Sequence, residues 1–136
     1  MSVQIINPPG WPKPRGYSNG MIAEGRILTI GGQIGWNKDQ VFEHSDFVGQ
    51  FGQALANVRA ILDAAGAEPR HIVRMTVYVT DLDAYRNNLR QLGPVWKLHL
   101  GRRYPAMALV GVTGLVEPEA LVEIETTAVL PTKGTS

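Results

Sequence analysis

Six apolar residues, Phe47, Phe51, Leu55, Val58, Leu62 and Ala65, recur at three- and four-residue spacing between Ser45-Asp46 and Gly66. That period is the period of an α-helix, so the stretch reads as an amphipathic helix with one face committed to a core. Ser45 or Asp46 can accept hydrogen bonds from the free amides at its start, and Gly66 can end it. One such helix needs a second layer to cover its apolar face. Residues 72–80 offer one, because Val73, Met75, Val77 and Val79 alternate with Arg74, Thr76 and Tyr78, the period of a half-buried strand.

The remaining elements follow from the same two periods. The prolines at 8, 9, 12 and 14 fix φ and withhold donors, so residues 1–16 are expected to form an extended, irregular arm. Residues 21–24 and 27–34 are short apolar runs separated by Gly25-Arg26, which reads as a β-hairpin. Asp81 or Asp83 starts a second helix carrying Tyr85, Leu89 and Leu92, and Gly93-Pro94 should kink or interrupt it. Residues 106–113 and 121–130 read as two further strands. The order is ββαβαββ, an α+β fold with two helices packed on one face of a mixed sheet. A single domain over residues 17–131 and a short tail over 132–136 complete the expected organisation.

Composition narrows the partners. A chain of 136 residues builds one core, and 13 basic against 12 acidic side chains leave a net charge of +1. That balance gives no attraction for nucleic acid or an acidic membrane surface. The sequence has no cysteine, which excludes thiol nucleophiles, thiolate metal sites and disulfides, and fits a reducing compartment. No run approaches the length of a membrane span and the N-terminus does not read as a leader, so a cytoplasmic location is expected. His44, His71 and His99 are not spaced as metal ligands and read as surface or capping residues. Ser18 lacks the surroundings of a hydrolase nucleophile.

On the sheet, Val73, Met75, Val77, Val79, Val110, Val112, Val122 and Ile124 are expected to face the helices. Arg74, Thr76, Tyr78, Met107, Leu109, Glu123 and Glu125 are then left opposite. Large apolar groups among charges on an open sheet face mark an association surface.

Five segments in register carry a resemblance. Arg15-Gly16-Tyr17-Ser18-Asn19-Gly20 resembles a GPYSQ opening, and Ile30-Gly31-Gly32-Gln33-Ile34 an SGQI strand. The helix stretch from Asn57 to Gly66, the strand Thr76-Val77-Tyr78-Val79-Thr80-Asp81 and the strand Val122-Glu123-Ile124-Glu125 follow in order. Together they are similar to the Rid (YjgF) family. The resemblance implies a chorismate-mutase-like homotrimer with a small-molecule ligand in each intersubunit cleft. It also implies, for the best-known branch, hydrolysis of reactive imines or enamines to ketones and ammonia with no cofactor and no metal. A ribonuclease activity is attributed to the wider family, but a neutral chain with no basic aromatic platform gives it no support.

The resemblance also locates candidate residues. Glu123 matches the family's functional glutamate, placed to orient water or exchange a proton. Tyr17 matches its functional tyrosine. Gly31 stands where the family has serine, and Gly31 with Gly32 can let a ligand approach the backbone or can serve a bulge. Asn88 lies beside the position of the family's second-helix asparagine, which falls at or next to Leu89. Pro105-Ala106-Met107 stands where that branch has P-A-R, so methionine replaces the arginine that grips a substrate carboxylate. Trp36 is placed to overhang the cleft. The chain therefore resembles an outlying branch acting on different imines or enamines. The competing reading is a non-catalytic trimer that binds a small molecule. For Glu123, as for Glu125 two residues along the same strand face, the alternative to catalysis is a simple pairing with Arg74 or with water.

Overall fold

The computed structural model describes residues 3–132; the tail assigned to 132–136 lies, beyond its first residue, outside them. Six strands and three helices follow in the order β1 (Gln4–Ile6), β2 (Gly20–Ile22), β3 (Arg26–Ile34), α1 (Phe47–Ala64), β4 (Ile72–Val79), α2 (Leu82–Asn87), α3 (Leu89–Leu100), β5 (Ala106–Gly111) and β6 (Val122–Leu130). A 3₁₀ turn, Pro69–His71, leads into β4. The main sheet has the order β3-β6-β4-β5. Its pairs β3–β6 and β6–β4 are antiparallel and β4–β5 is parallel, so the sheet is mixed and the fold is α+β as expected.

The long helix forms where its period placed it. Asp46 caps it, its carboxylate accepting from Gly49 N–H at 2.9 Å. At the far end Gly66 takes φ +73°, a conformation open to glycine at little cost, so that Ala67 N–H can donate back to Leu62 O. Its apolar face, Phe47, Phe51, Ala54, Leu55, Val58 and Leu62, is buried against Met75, Val77, Val79, Val122 and Ile124. Gln50 is the polar exception in this core. Its amide donates to His44 O and Glu119 O and its carbonyl accepts from Leu121 N–H, so all three loop groups are satisfied in one place.

Four expectations are corrected. The runs at 21–24 and 27–34 do not form a hairpin: β2 pairs with β1, and β3 with β6. Gly25 still has a local reason, since its φ is +145° and a β-carbon there would fall 1.9 Å from Leu130 O. The arm is not wholly irregular, because Gln4–Ile6 precedes the prolines and is free to pair. The second helical region breaks at Asn88, not at Gly93-Pro94. Asn88 leaves helical geometry and donates to Ala84 O, while Pro94 sits inside α3 on its exposed side. The carbonyl that Pro94 leaves without a donor belongs to exposed Arg90, where water can serve it.

The fourth correction concerns the faces of β5. In its parallel register Met107 lies beside Met75 and Leu109 beside Val77, both buried under the helices. Met107 and Leu109 therefore pack on the helix side, and Val110, beside Tyr78, faces away. The open face carries Ile27, Tyr78, Val110, Arg74, Thr76, Glu123 and Glu125. Ile27 is 72% exposed and Val110 40%, so the apolar patch exists but with different members.

Candidate functional site

Two candidate regions result, one on each side of the sheet. On the helix side a cavity of about 440 Å³ opens between β5, α2, α3 and the chain before β2. Tyr17 and Met107 line it, with Phe51, Leu89, Trp96 and Leu109. Ser18 holds Tyr17 in place. Its hydroxyl donates to Tyr104 O at 2.7 Å, its N–H donates to Pro105 O at 2.9 Å, and it bridges to Ala106 in parallel. The residues before β2 are thereby tied to the start of β5, the strand that carries Met107. Trp96 stacks on Tyr104 with ring centres 5.1 Å apart and donates to Arg103 O, which closes the wall between α3 and β5.

On the open side the register of β3 against β6 slips between Ile30 and Gln33, so Gly31 and Gly32 form a bulge. The bulge brings the backbone of Gly32 against the Glu123 carboxylate. A β-carbon on Gly32 would stand 1.8 Å from Glu123 Oε2, whereas one on Gly31 would meet nothing within 4 Å. Gly31 lines a shallow concavity of about 380 Å³ with Arg74, Thr76 and Glu125. Tyr78 donates its hydroxyl to Glu125, which raises the phenol above its usual range. Glu125 is thus occupied, whereas Glu123 has no hydrogen-bond partner among the described residues. Neither forms an ion pair with Arg74 among the described residues.

The remaining candidates lie elsewhere. Trp36 is half-buried against Phe42, ring centres 5.7 Å apart, and its carbonyl accepts from Asn57 of α1. Asn88 spends its amide on Ala84 O, and its neighbour Leu89 reaches the helix-side cavity. His71 is buried and caps the 3₁₀ turn, its Nδ1 accepting from Glu68 N–H at 3.0 Å. Burial, reinforced by the charge of Arg70, holds its pKa below the usual value. No group of histidine and carboxylate side chains suited to a metal occurs among the described residues. None of their helices is long and apolar enough to cross a membrane.

The sequence reading overlooked two positioning residues, Gln50 and Asn57. Asn57 donates to Ile34 O at 3.0 Å and to Trp36 O at 2.8 Å, and fixes the end of β3 beyond the bulge. Their signal was available as polar residues interrupting the inward side of an apolar helix, Gln50 fully buried and Asn57 half-buried.

Known proteins share this chain's sequence pattern and fold. The family model described as Endoribonuclease L-PSP matches residues 12–130. A RutC family protein of Pyrococcus horikoshii is 32% identical over 126 residues, covering 92% of this chain and 96% of the relative. One from Aquifex aeolicus is 36% identical over 125 residues, covering 91% and 97%. Among solved structures, the Rid family protein YyfB of Yersinia pestis, of unknown function, superposes with a TM-score of 0.85 at 34% identity over 96% of this chain and 100% of that one. RidA of an Antarctic Psychrobacter gives 0.66 at 30% identity over 93% and 99%. With its five motifs in register, its α+β fold and these matches across nearly its whole length, the chain belongs to the Rid (YjgF) family.

Proposed function

We propose that the protein is a hydrolase of small reactive imines or enamines, working as a homotrimer whose clefts each join two subunits. The observation that carries this reading is the Glu123 carboxylate, lodged against the bare backbone of Gly32 and without an ion-pair partner among the described residues. Tyr17 and Met107 line a cavity on the opposite side of the sheet. One chain therefore supplies two half-sites that face different ways, and a neighbouring copy seated on the open face would bring them together. Exposed Ile27 and Val110 on that face favour such a contact.

In the reaction, water adds to the imine carbon as Glu123 accepts one of its protons. Starting from the protonated imine, that proton then passes to the carbinolamine nitrogen, and Glu123 takes up the hydroxyl proton as the C–N bond breaks, which leaves a ketone and ammonia, the latter departing with the proton as ammonium. An enamine enters the same route after protonation at carbon. Met107 offers a soft apolar surface in place of an arginine fork, so the substrates differ from those of the arginine-bearing branch.

Glu123→Gln tests the reading, because it keeps size and hydrogen bonding but removes the base. Ammonia release from imines generated in situ should fall by roughly 10²- to 10⁴-fold with unchanged assembly mass. Glu125→Gln, which loosens only the Tyr78 contact, should be milder. Equal losses that merely follow melting temperature would leave hydrolysis without a proton carrier and favour a trimer that binds without turnover.

A further inference from the structure

The helix-side cavity has an unusual charge pattern. Arg15 is the only charged side chain among its lining residues, and no aspartate or glutamate shares it. Arg15 makes no ion pair or side-chain hydrogen bond among the described residues. Gly16 follows at φ +76°, and the chain crosses the cavity as Arg15-Gly16-Tyr17 before Ser18 fastens it to Tyr104 and Pro105. Arg15, itself exposed, thus lines the same cavity as Met107. The rest of the lining is predominantly aromatic and aliphatic, including Phe51, Trp96 and Leu109.

The other arginines beside or before β5 are not among the residues lining this cavity. Arg74 lies on the open face beside Glu125. Arg103 lines a separate crevice of about 10 Å³. Arg102 lines neither.

We infer that Arg15 is the anion-binding residue of this cavity, and that the ligand is a monoanion with a ring-sized apolar body. The anionic group meets the guanidinium while the body lies over Met107 and against Trp96. A cavity of 440 Å³ exceeds what a short imino acid fills and suits an aryl- or branched-alkyl-substituted acid. This rests on the cleft assigned above and names its substrate class. It moves the charge recognition from β5 to the segment before β2 and leaves β5 to select for bulk.

The test uses 3-phenylpropionate and its neutral isostere 3-phenylpropionamide, titrated calorimetrically into the full chain. The acid should bind about tenfold more tightly than the amide, because a charge-assisted contact is lost in the amide and solvent screens part of it. Arg15→Gln should bring that ratio to about one, and Arg15→Lys should keep part of it. Gly93→Leu, which adds bulk where a β-carbon meets nothing within 4 Å, should weaken both probes together. A ratio near one in the parent, or one that survives Arg15→Gln, overturns the assignment. Failure of both probes to bind overturns the ligand class. In each case the Glu123 result stands separately, since Glu123→Gln is read as lost turnover of imines, whereas the Arg15 assignment is read from the acid-to-amide ratio and its loss in Arg15→Gln.

Discussion

Replacing Gly32 by alanine is expected to disable the site while sparing the fold. The new β-carbon would lie 1.8 Å from Glu123 Oε2, 2.7 Å from Cδ and 2.9 Å from Cγ. Ordinary carbon contacts are about 3.5 Å or longer, so the carboxylate must retreat by roughly 1.7 Å. The three nearest atoms all belong to one flexible side chain and none to backbone, and Gly32 is not among the glycines with positive φ. The stability cost should therefore stay within about 1 kcal/mol, a few degrees of melting temperature. A misplacement of about 1 Å at a reacting group costs on the order of 10²-fold in rate, and a similar or larger loss is expected here. Gly31→Ala is the matched control, since its β-carbon meets nothing within 4 Å and should change turnover by less than about twofold. Thermal melting and ammonia release from imines generated in situ report both quantities. If Gly32→Ala turns over like Gly31→Ala, the position of the Glu123 carboxylate does not matter to the reaction. If its activity falls only in step with its melting temperature, the steric argument fails.

Gln50→Leu leaves His44 O, Glu119 O and Leu121 N–H without their buried partner, and should cost about 3 kcal/mol or roughly 10 °C in a melting curve. His71 is held below its usual pKa of 6.5, so the unfolded chain takes up its proton first as pH falls. The stability it contributes is complete above about pH 6.5 and declines below it, with His99 acting in the same direction, and His71→Gln should flatten the loss of melting temperature between pH 7 and pH 5. Light scattering at micromolar concentration should give three times 14.9 kDa, whereas a monomer mass would leave the two half-sites apart.

The parts of the fold legible in the sequence are those where period and composition agree. In α1 and β4 only one face is apolar, so the buried side can be read directly. Strand β5 fails that test: Ala106, Ala108 and Val110 are as apolar as Met107 and Leu109, and alternation carries no information about which set faces inward. The parallel pairing with β4 decides it, and that pairing is long-range. The hairpin at Gly25 was misread for a related reason. A glycine accommodating Leu130 O looks, in sequence, like a glycine in a turn. At the site, Glu123 and Gly32 were recognised separately through the family resemblance, but their contact depends on the bulge in β3. Arg15 opens the segment that resembles GPYSQ, but that motif has no cation there, so its relevance came only from the cavity it lines.

The place of β6 in the sheet governs the order in which the protein can be made. Although it is the last strand in sequence, it lies between β3 and β4, and it is the only strand that pairs with β3 among the described residues. A growing chain that has not yet reached Val122 can join β4 to β5, but it holds β3 with no neighbour and β4 with one edge bare. The apolar face of α1 meanwhile lacks Val122 and Ile124, two of the fully buried residues beneath it. Synthesis must run through β6 to Leu130 before the sheet closes, so the nascent chain emerges with its strand edges and core open to other chains.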